Sequence, residues 1–306
     1  MARADSYPTR PVTLLVGYPA GGPTDALARV VADGMRGSLG QPVIIENIGG
    51  AAGTVAAERA AHANPDGYTL NFGNFGDHVI AGAVYPLRFN VLSDFAPIAL
   101  LSSHPLLIVA KRSLPANNLR EFIDWLRANP DKAAEGTLGP GSIQHVAGIF
   151  LQKLTGTRFQ FVPYRGSAPA MQDLLSGQID FLIDPAPNSL PQVRAGTVKV
   201  FAVTAKTRLP AAPEIPTANE AGVPDFYAGS WHAFWAPNGT PRVVVDTVNA
   251  AIIAAVADPK VRDRLVDLGQ QIFPRDQQTP EALGAFQAAE IERWWPMIKA
   301  AGIKAE

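Results

Sequence analysis

The sequence predicts an α/β protein built from two lobes. Apolar strand-like runs alternate with helix-like stretches along most of the chain, and that alternation restarts at Leu106. The length of 306 residues also exceeds what one hydrophobic core fills, since single cores stop growing near roughly 250 to 300 residues.

Taken in order, the first lobe opens with an apolar strand at 12–17, a helical pattern at 25–39, strand 43–46, a shorter helical pattern at 54–63 and strand 68–72. Gly, Pro or Asn joins each to the next, as expected of a mostly parallel sheet with helices on its faces and ligands at the carboxyl ends of its strands. The second lobe repeats the rhythm with strand 106–110, helix 119–128, a glycine loop at 139, helix 143–154, strand 159–163, helix 168–176, strand 179–184 and strand 198–205. A Pro-rich passage at 209–216 leads to an extended run at 230–237, then to helical stretches at 242–257, 259–268 and 280–301. These last have too few strands to form a third lobe and are expected to pack back on the first. That makes the first lobe discontinuous (1–104 with 226–306), the second 105–225, and the connections two crossover strands near 101–110 and 228–236.

Composition removes several function classes. With 26 basic and 27 acidic side chains there is no strong positive field, and no nucleic-acid partner is expected. The chain has no cysteine, so disulfides, thiolate metal sites and thiol nucleophiles are absent together. No apolar run reaches the roughly 18 to 20 residues of a bilayer span; the stretch 98–110 is interrupted by Ser102, Ser103, His104 and Pro105. The five histidines, His62, His78, His104, His145 and His232, do not pair at a metal-ligand spacing, so neither metal nor cofactor is expected. Phosphate-loop, dinucleotide, zinc-protease and nucleophile-elbow motifs are all missing.

Two bends carry the candidate chemistry. Tyr18-Pro-Ala20-Gly21-Gly22-Pro-Thr24-Asp25 joins the first strand to its helix, and Thr137-Leu138-Gly-Pro-Gly141-Ser142 does the same in the second lobe. A glycine bend ahead of a helix start presents unpaired backbone N–H groups at the positive end of the helix dipole, where a carboxylate or phosphate can sit. Thr24 or Asp25 as a helix cap explains the same residues without a ligand. At the end of the 68–72 strand, Asn74-Phe75-Gly-Asp77-His78 adds polar groups and one ring, Phe75, that is either core or the wall of a pocket. An enzyme-like alternative exists in Ser142, His145 and Asp184 as nucleophile, base and orienter, although Ser142 as a simple cap with His145 in the first turn accounts for the pair.

Tyr7-Pro-Thr-Arg-Pro-Val, Pro19-Ala-Gly-Gly-Pro-Thr-Asp25, Leu39-Gly-Gln-Pro-Val43 and Pro65-Asp-Gly-Tyr-Thr-Leu70 stand in that order in the amino-terminal part. Gly141-Ser-Ile-Gln-His145, Val162-Pro-Tyr-Arg-Gly-Ser-Ala-Pro-Ala170, Asp173-Leu-Leu-Ser-Gly-Gln-Ile-Asp180, Pro213-Glu-Ile-Pro-Thr217 and Ala236-Pro-Asn-Gly-Thr-Pro241 carry the pattern toward Ala300-Ala-Gly-Ile303. Taken in order, these segments resemble the periplasmic solute-binding proteins of tripartite tricarboxylate transporters, the Bug family.

The resemblance implies a type II periplasmic-binding-protein fold, two α/β lobes on two crossover strands, which closes on a small carboxylate and hands it to the membrane subunits of a tripartite transporter. It implies no catalysis. The ligand contacts so implied are Tyr18, Ala20, Gly21, Gly22, Thr24, Asp25, Asn74, Phe75, Asp77 and His78 in the first lobe. In the second they are Thr137, Leu138, Gly141, Ser142, Gly166, Ser167, Ala168 and Asp184. The chain is expected to act as a periplasmic monomer, and Met1-Ala-Arg-Ala-Asp-Ser, without an apolar stretch, reads as a mature form lacking its signal peptide. Three positions that are more often polar in this family are apolar here, Phe75, Leu138 and Pro185, which points to an aromatic or other mono- or dicarboxylate rather than citrate.

Overall fold

The computed structural model describes residues 7–304, so the six amino-terminal residues on which the signal-peptide reading rested lie outside the described residues. In chain order the elements begin with β1 (Val12–Val16), α1 (Pro23–Leu39), β2 (Val43–Asn47), α2 (Thr54–Ala61), β3 (Thr69–Asn74), α3 (Ala81–Val84), β4 (Phe95–Lys111), α4 (Leu119–Ala128) and β5 (Ala134–Thr137). They continue with α5 (Ile143–Thr155), β6 (Gln160–Pro163), α6 (Ser167–Ser176), β7 (Phe181–Pro185), α7 (Ala186–Arg194) and β8 (Val198–Val203). The chain ends with β9 (Gly229–Pro237), α8 (Arg242–Ala257), α9 (Pro259–Asp267), β10 (Gln271–Ile272) and α10 (Pro280–Ala300). A 3-10 turn at Ala51–Gly53 precedes α2, and a π-helical turn at Gly76–Ile80 follows β3.

The chain divides into two compact units. One takes it up to Ser103 together with Trp231–Lys299, and the other takes His104–Ser230 with the residues from Ala300 on. In the first unit β1 lies between β2 and β3, both parallel to it, and β9 runs antiparallel to β3. Val12, Leu14, Leu15 and Val16 are all buried, as befits a central parallel strand covered on both faces. Helix α1 starts with Pro23 in its first turn and ends at Gly40, whose left-handed φ of 66° lets its N–H reach the Arg36 carbonyl. Between those stops Leu27, Val31 and Met35 recur every four residues and pack with Val248 and Ile252 of α8 in the core. Each such fully buried side chain contributes roughly 1.5 to 3 kcal/mol.

In the second unit β5 pairs in parallel with β6 and β7, while β4 runs antiparallel to β7 and β8. Leu107, Val109, Leu174, Leu182, Leu190, Val203, Leu209 and Ile215 form its core. Asn118 caps α4 by accepting the Glu121 N–H at 2.9 Å, and the Glu121 carboxylate accepts the N–H of Asn117, the residue before the cap, at 2.8 Å.

Two strands pass from one unit into the other. Strand β4 has 17 residues; its first half pairs β10 through Ser102 and Ser103, and its second half pairs β7 and β8 from Leu106 on. Pro105, which has no N–H to give to a ladder, sits between those two pairings. Helix α7 has no counterpart among the elements expected from the sequence, and three prolines stand in or beside it, Pro185, Pro187 and Pro191. The first two fall at or just before its first turn, where no intrahelical N–H is needed.

Candidate functional site

The carboxyl ends of β1, β2 and β3 share one edge of the first sheet, and three loops leave from it: 17–22, 48–53 and 75–77. In the first loop Gly21 takes a left-handed φ of 79°, and a Cβ added there would meet nothing within 4 Å. Gly22 caps α1 with no side-chain bond, which corrects the expectation that Thr24 or Asp25 caps it. The first-turn amides of α1, among them those of Thr24 and Asp25, have no preceding helical carbonyl.

Asp25 braces the loop instead. Its carboxylate accepts the Gly21 N–H at 2.8 Å, Arg29 Nε at 2.9 Å and Asn47 Nδ2 at 3.0 Å, and Asn47 also donates to the Tyr18 carbonyl. Burial pushes the Asp25 carboxyl up, but the bonds from Arg29, Gly21 and Asn47 outweigh it and hold the group below its ordinary range. The Gly21 amide is therefore spent within the loop, and only its missing side chain leaves room for a ligand. Ala20 and Gly21 are exposed and Gly22 half-buried, whereas Thr24 is buried with its hydroxyl 3.4 Å from His232 Nε2.

Tyr18 ties the three loops together. Its hydroxyl lies 2.9 Å from Asn74 Oδ1 and 3.2 Å from the Ala52 carbonyl, and Asn74 Oδ1 also accepts the Gly76 N–H at 2.7 Å. The middle loop, Gly49-Gly-Ala-Ala-Gly53, was not singled out from the sequence. Ala51 and Ala52 adopt positive φ there (44° and 55°) without the freedom of glycine, a strain that concentrates at ligand-holding loops. The signal available was a run of five small residues between a strand and a helix start. Asp77 is fully buried, with Oδ1 accepting the Asn74 N–H at 2.6 Å and Oδ2 without a partner.

Phe75 and His78 are corrections. Phe75 is fully buried, edge-on to Trp231 and Trp294, so it belongs to the core and walls no pocket. His78 is fully buried, stacked 3.6 Å from the Trp235 ring, and donates Nε2–H to Asn71 Oδ1 at 2.6 Å; burial lowers its pKa to about 3 and keeps the ring neutral.

In the second unit the carboxyl ends of β5, β6 and β7 likewise lie at one sheet edge. Gly139 and Gly141 turn the first loop with φ of 89° and 81°, and Gly139 has open space where a Cβ would stand. Gly141 and Thr137 are buried, while Leu138 is 38% exposed, an apolar side chain at the lip of this edge. Ser142 is the N-cap of α5: its hydroxyl donates to the Gly139 carbonyl at 2.8 Å and accepts the His145 backbone N–H at 3.3 Å. The His145 ring instead lies edge-on to Phe161, 4.6 Å between centroids. The nucleophile–base pair of the alternative reading is therefore a helix cap.

Gly166, in extended backbone, caps α6, whose first residues Ser167 and Ala168 are half-buried and exposed. Asp184 ends β7 almost fully buried and accepts Asn188 Nδ2 at 2.7 Å and Ser189 Oγ at 2.6 Å. Burial pushes its carboxyl up to about 6 against the hydrogen bonds of Ser189, Asn188 and Ser167. Asp184 thus joins the starts of α6 and α7, and Asn188 and Ser189 belong to this polar cluster, which sequence reading missed along with their helix. Pro185 opens that helix.

Two α/β units strung on two common strands, each with uncapped or glycine-turned helix starts at the ends of parallel strands, define a solute-binding protein of the periplasmic-binding class. The family model described as the tripartite tricarboxylate transporter family receptor matches residues 27–303, and the chain belongs to that family. Among solved structures it is similar to periplasmic binding protein BugD, at 38% identity and a TM-score of 0.85 over 98% of this chain and all of that one. MatC from Rhodopseudomonas palustris with bound malate is 40% identical, with a TM-score of 0.85 over 95% of this chain and 100% of the other. R. palustris Rpa4515 with adipate is 33% identical, with a TM-score of 0.87 over 98% and 100% of the two chains. These relatives are binding proteins, and so is this chain; it is not an enzyme. Among the described residues no group of three or more metal-ligating side chains comes together, and no helix is long and apolar enough to cross a membrane.

Proposed function

We propose that this chain is a periplasmic receptor that captures a small mono- or dicarboxylate by closure of its two lobes and delivers it to the membrane subunits of a tripartite tricarboxylate transporter. The observation that carries the reading is the pair of left-handed glycines with open space at their Cβ positions, Gly21 and Gly139, each ahead of a helix start in a chain whose relatives hold malate and adipate. None of the candidate contact residues is a lysine or arginine. Neutral donors at helix starts hold a carboxylate through hydrogen bonds worth roughly 1.5 to 3 kcal/mol each, strong enough for capture and weak enough for release. A ligand touching both lobes stabilises the closed form by the difference in its affinity for the two states, and that difference drives the hinge.

The preference proposed is for an aromatic or other less polar acid over citrate. With Phe75 in the core, it now rests on the exposed Leu138 and on Pro185. Calorimetric titration of citrate, malate, adipate and terephthalate tests it: tight citrate or malate binding with no heat from terephthalate rejects the preference. Gly21→Val and Gly139→Val, one in each unit, test capture by both lobes. Both should abolish the thermal shift that the bound acid gives to the unaltered protein; a variant that keeps the full shift removes its lobe from the site.

A further inference from the structure

Asp77 stands where the three loops of the first half-site meet. A Cβ placed on Gly53 would lie 3.1 Å from Asp77 Oδ2 and 3.2 Å from Tyr18 Cε2, so the middle loop, the Tyr18 ring and the carboxyl group are in mutual contact. Asp77 Oδ1 is bound by the Asn74 amide, but Oδ2 is fully enclosed and has no partner. A buried carboxylate without a partner or counter-charge is costly, whereas the neutral acid keeps the Oδ1 bond and carries its proton on Oδ2.

The ionisable side chains of the surrounding elements are engaged elsewhere; on β9, His232 stands opposite Asn74 and reaches the Thr24 hydroxyl. Tyr18 faces Asp77 from the first loop and is itself held neutral by burial, with Tyr85 beyond. His78, next in the π-helical turn, is neutral and engaged by Asn71. From α1, Arg29 is bound to Asp25; from α2, Arg59 is bound to Glu46; from α10, Gln287 and Trp295 reach the turn through the His78 and Val79 carbonyls, and Arg293 lies by Glu290. Burial pushes the Asp77 carboxyl up to about 8, against the backbone N–H groups of Asn74, Asp77 and His78.

We propose that the first half-site captures a carboxylate only while Asp77 keeps its proton, so that binding is coupled to one proton held behind the ligand loops. This rests on the carboxylate-receptor reading above. A second negative charge brought to these loops favours the protonated acid, so affinity is full below the Asp77 titration and falls as pH rises through it. Asp77 is a positioning residue here, acting through Tyr18, Asn74 and the 50–53 turn.

Calorimetric titrations with malate, adipate and terephthalate at pH 7 and pH 9 test the coupling, because these acids stay ionised throughout. Whichever binds should lose about tenfold in affinity between the two values, with proton uptake on binding at pH 9. Asp77→Asn, which keeps the acceptor and the shape but not the titration, should bind equally at both pH values. Asp77→Ser serves the same purpose if the asparagine variant does not fold. An affinity of the unaltered protein that is flat from pH 7 to pH 9, or a decline that persists in the variant, overturns the coupling while leaving the receptor reading intact. No heat from any of the three acids at either pH removes the receptor reading and the coupling with it.

Discussion

Asp25 accepts three hydrogen bonds at once, from a backbone amide, a guanidinium and a side-chain amide, and in doing so fixes the 17–22 loop on its helix. Its partner Arg29 is 54% exposed, so the ion pair is screened by water and contributes only about 0.2 to 1 kcal/mol. Because the folded carboxyl is held below its ordinary range, that stability is present at neutral pH and lost as pH falls through the folded value. Asp25→Asn should therefore lower the urea midpoint at pH 7 and lower it progressively less as pH falls below the ordinary carboxylate value; a loss that does not change with pH would assign the cost to packing and not to charge. Sequence reading placed Asp25 at the site but assigned it to the helix cap. The residue type was informative, while its partner Asn47, 22 positions away, was decided by strand pairing.

Helix α5 shows how close packing constrains an element from behind its functional end. Ser142 opens it at the carboxyl edge of the sheet, and two turns on Gly148 lies over β5, where an added Cβ would stand 2.1 Å from Glu135 Oε2 and 2.6 Å from Phe161 Cε1. The Glu135 carboxyl is fully buried, and desolvation raises its pKa well above the ordinary value. Gly148→Ala should destabilise the fold by about 1 to 3 kcal/mol, because overpacking exceeds the roughly 1 kcal/mol that alanine gains in a helix. Chemical denaturation measures it, and Glu135→Ala in the same chain should recover much of the loss; if it does not, Phe161 and not Glu135 is the obstacle.

At the scale of the whole molecule, buried titrating groups set opposing pH limits. Asp77 and Asp184, raised to about 8 and about 6, together with Glu135, contribute stability that is complete below the ordinary carboxylate range and is lost as pH rises through their folded values. His78, lowered to about 3, and Asp25 act the other way, their contributions being lost as pH falls. The melting temperature without ligand should peak at pH about 4, around the ordinary carboxylate values, and fall from there toward neutral pH, because between the ordinary carboxylate and imidazole values three raised acids lose stability while one imidazole gains it. A maximum at or above pH 8 would show that these acids are solvated, contrary to their burial.

What the sequence determined by itself was local: the alternation of strand and helix, the glycine bends at strand ends, the crossover runs and the absence of cysteine, all read from spacing over a few residues. Gly21, Gly139 and Ser142 were legible because a left-handed turn or a helix cap is chosen by the residue and its immediate neighbours. Tertiary structure alone decided which polar groups are spent on one another. It turned Phe75 and His78 into the core against Trp294 and Trp235, gave the Gly21 amide to Asp25, joined Asp184 to Asn188 and Ser189, and left Asp77 Oδ2 without a partner. Those outcomes depend on burial and on contacts between distant segments, and a buried hydrogen bond or charge is priced by its surroundings and not by its own place in the chain.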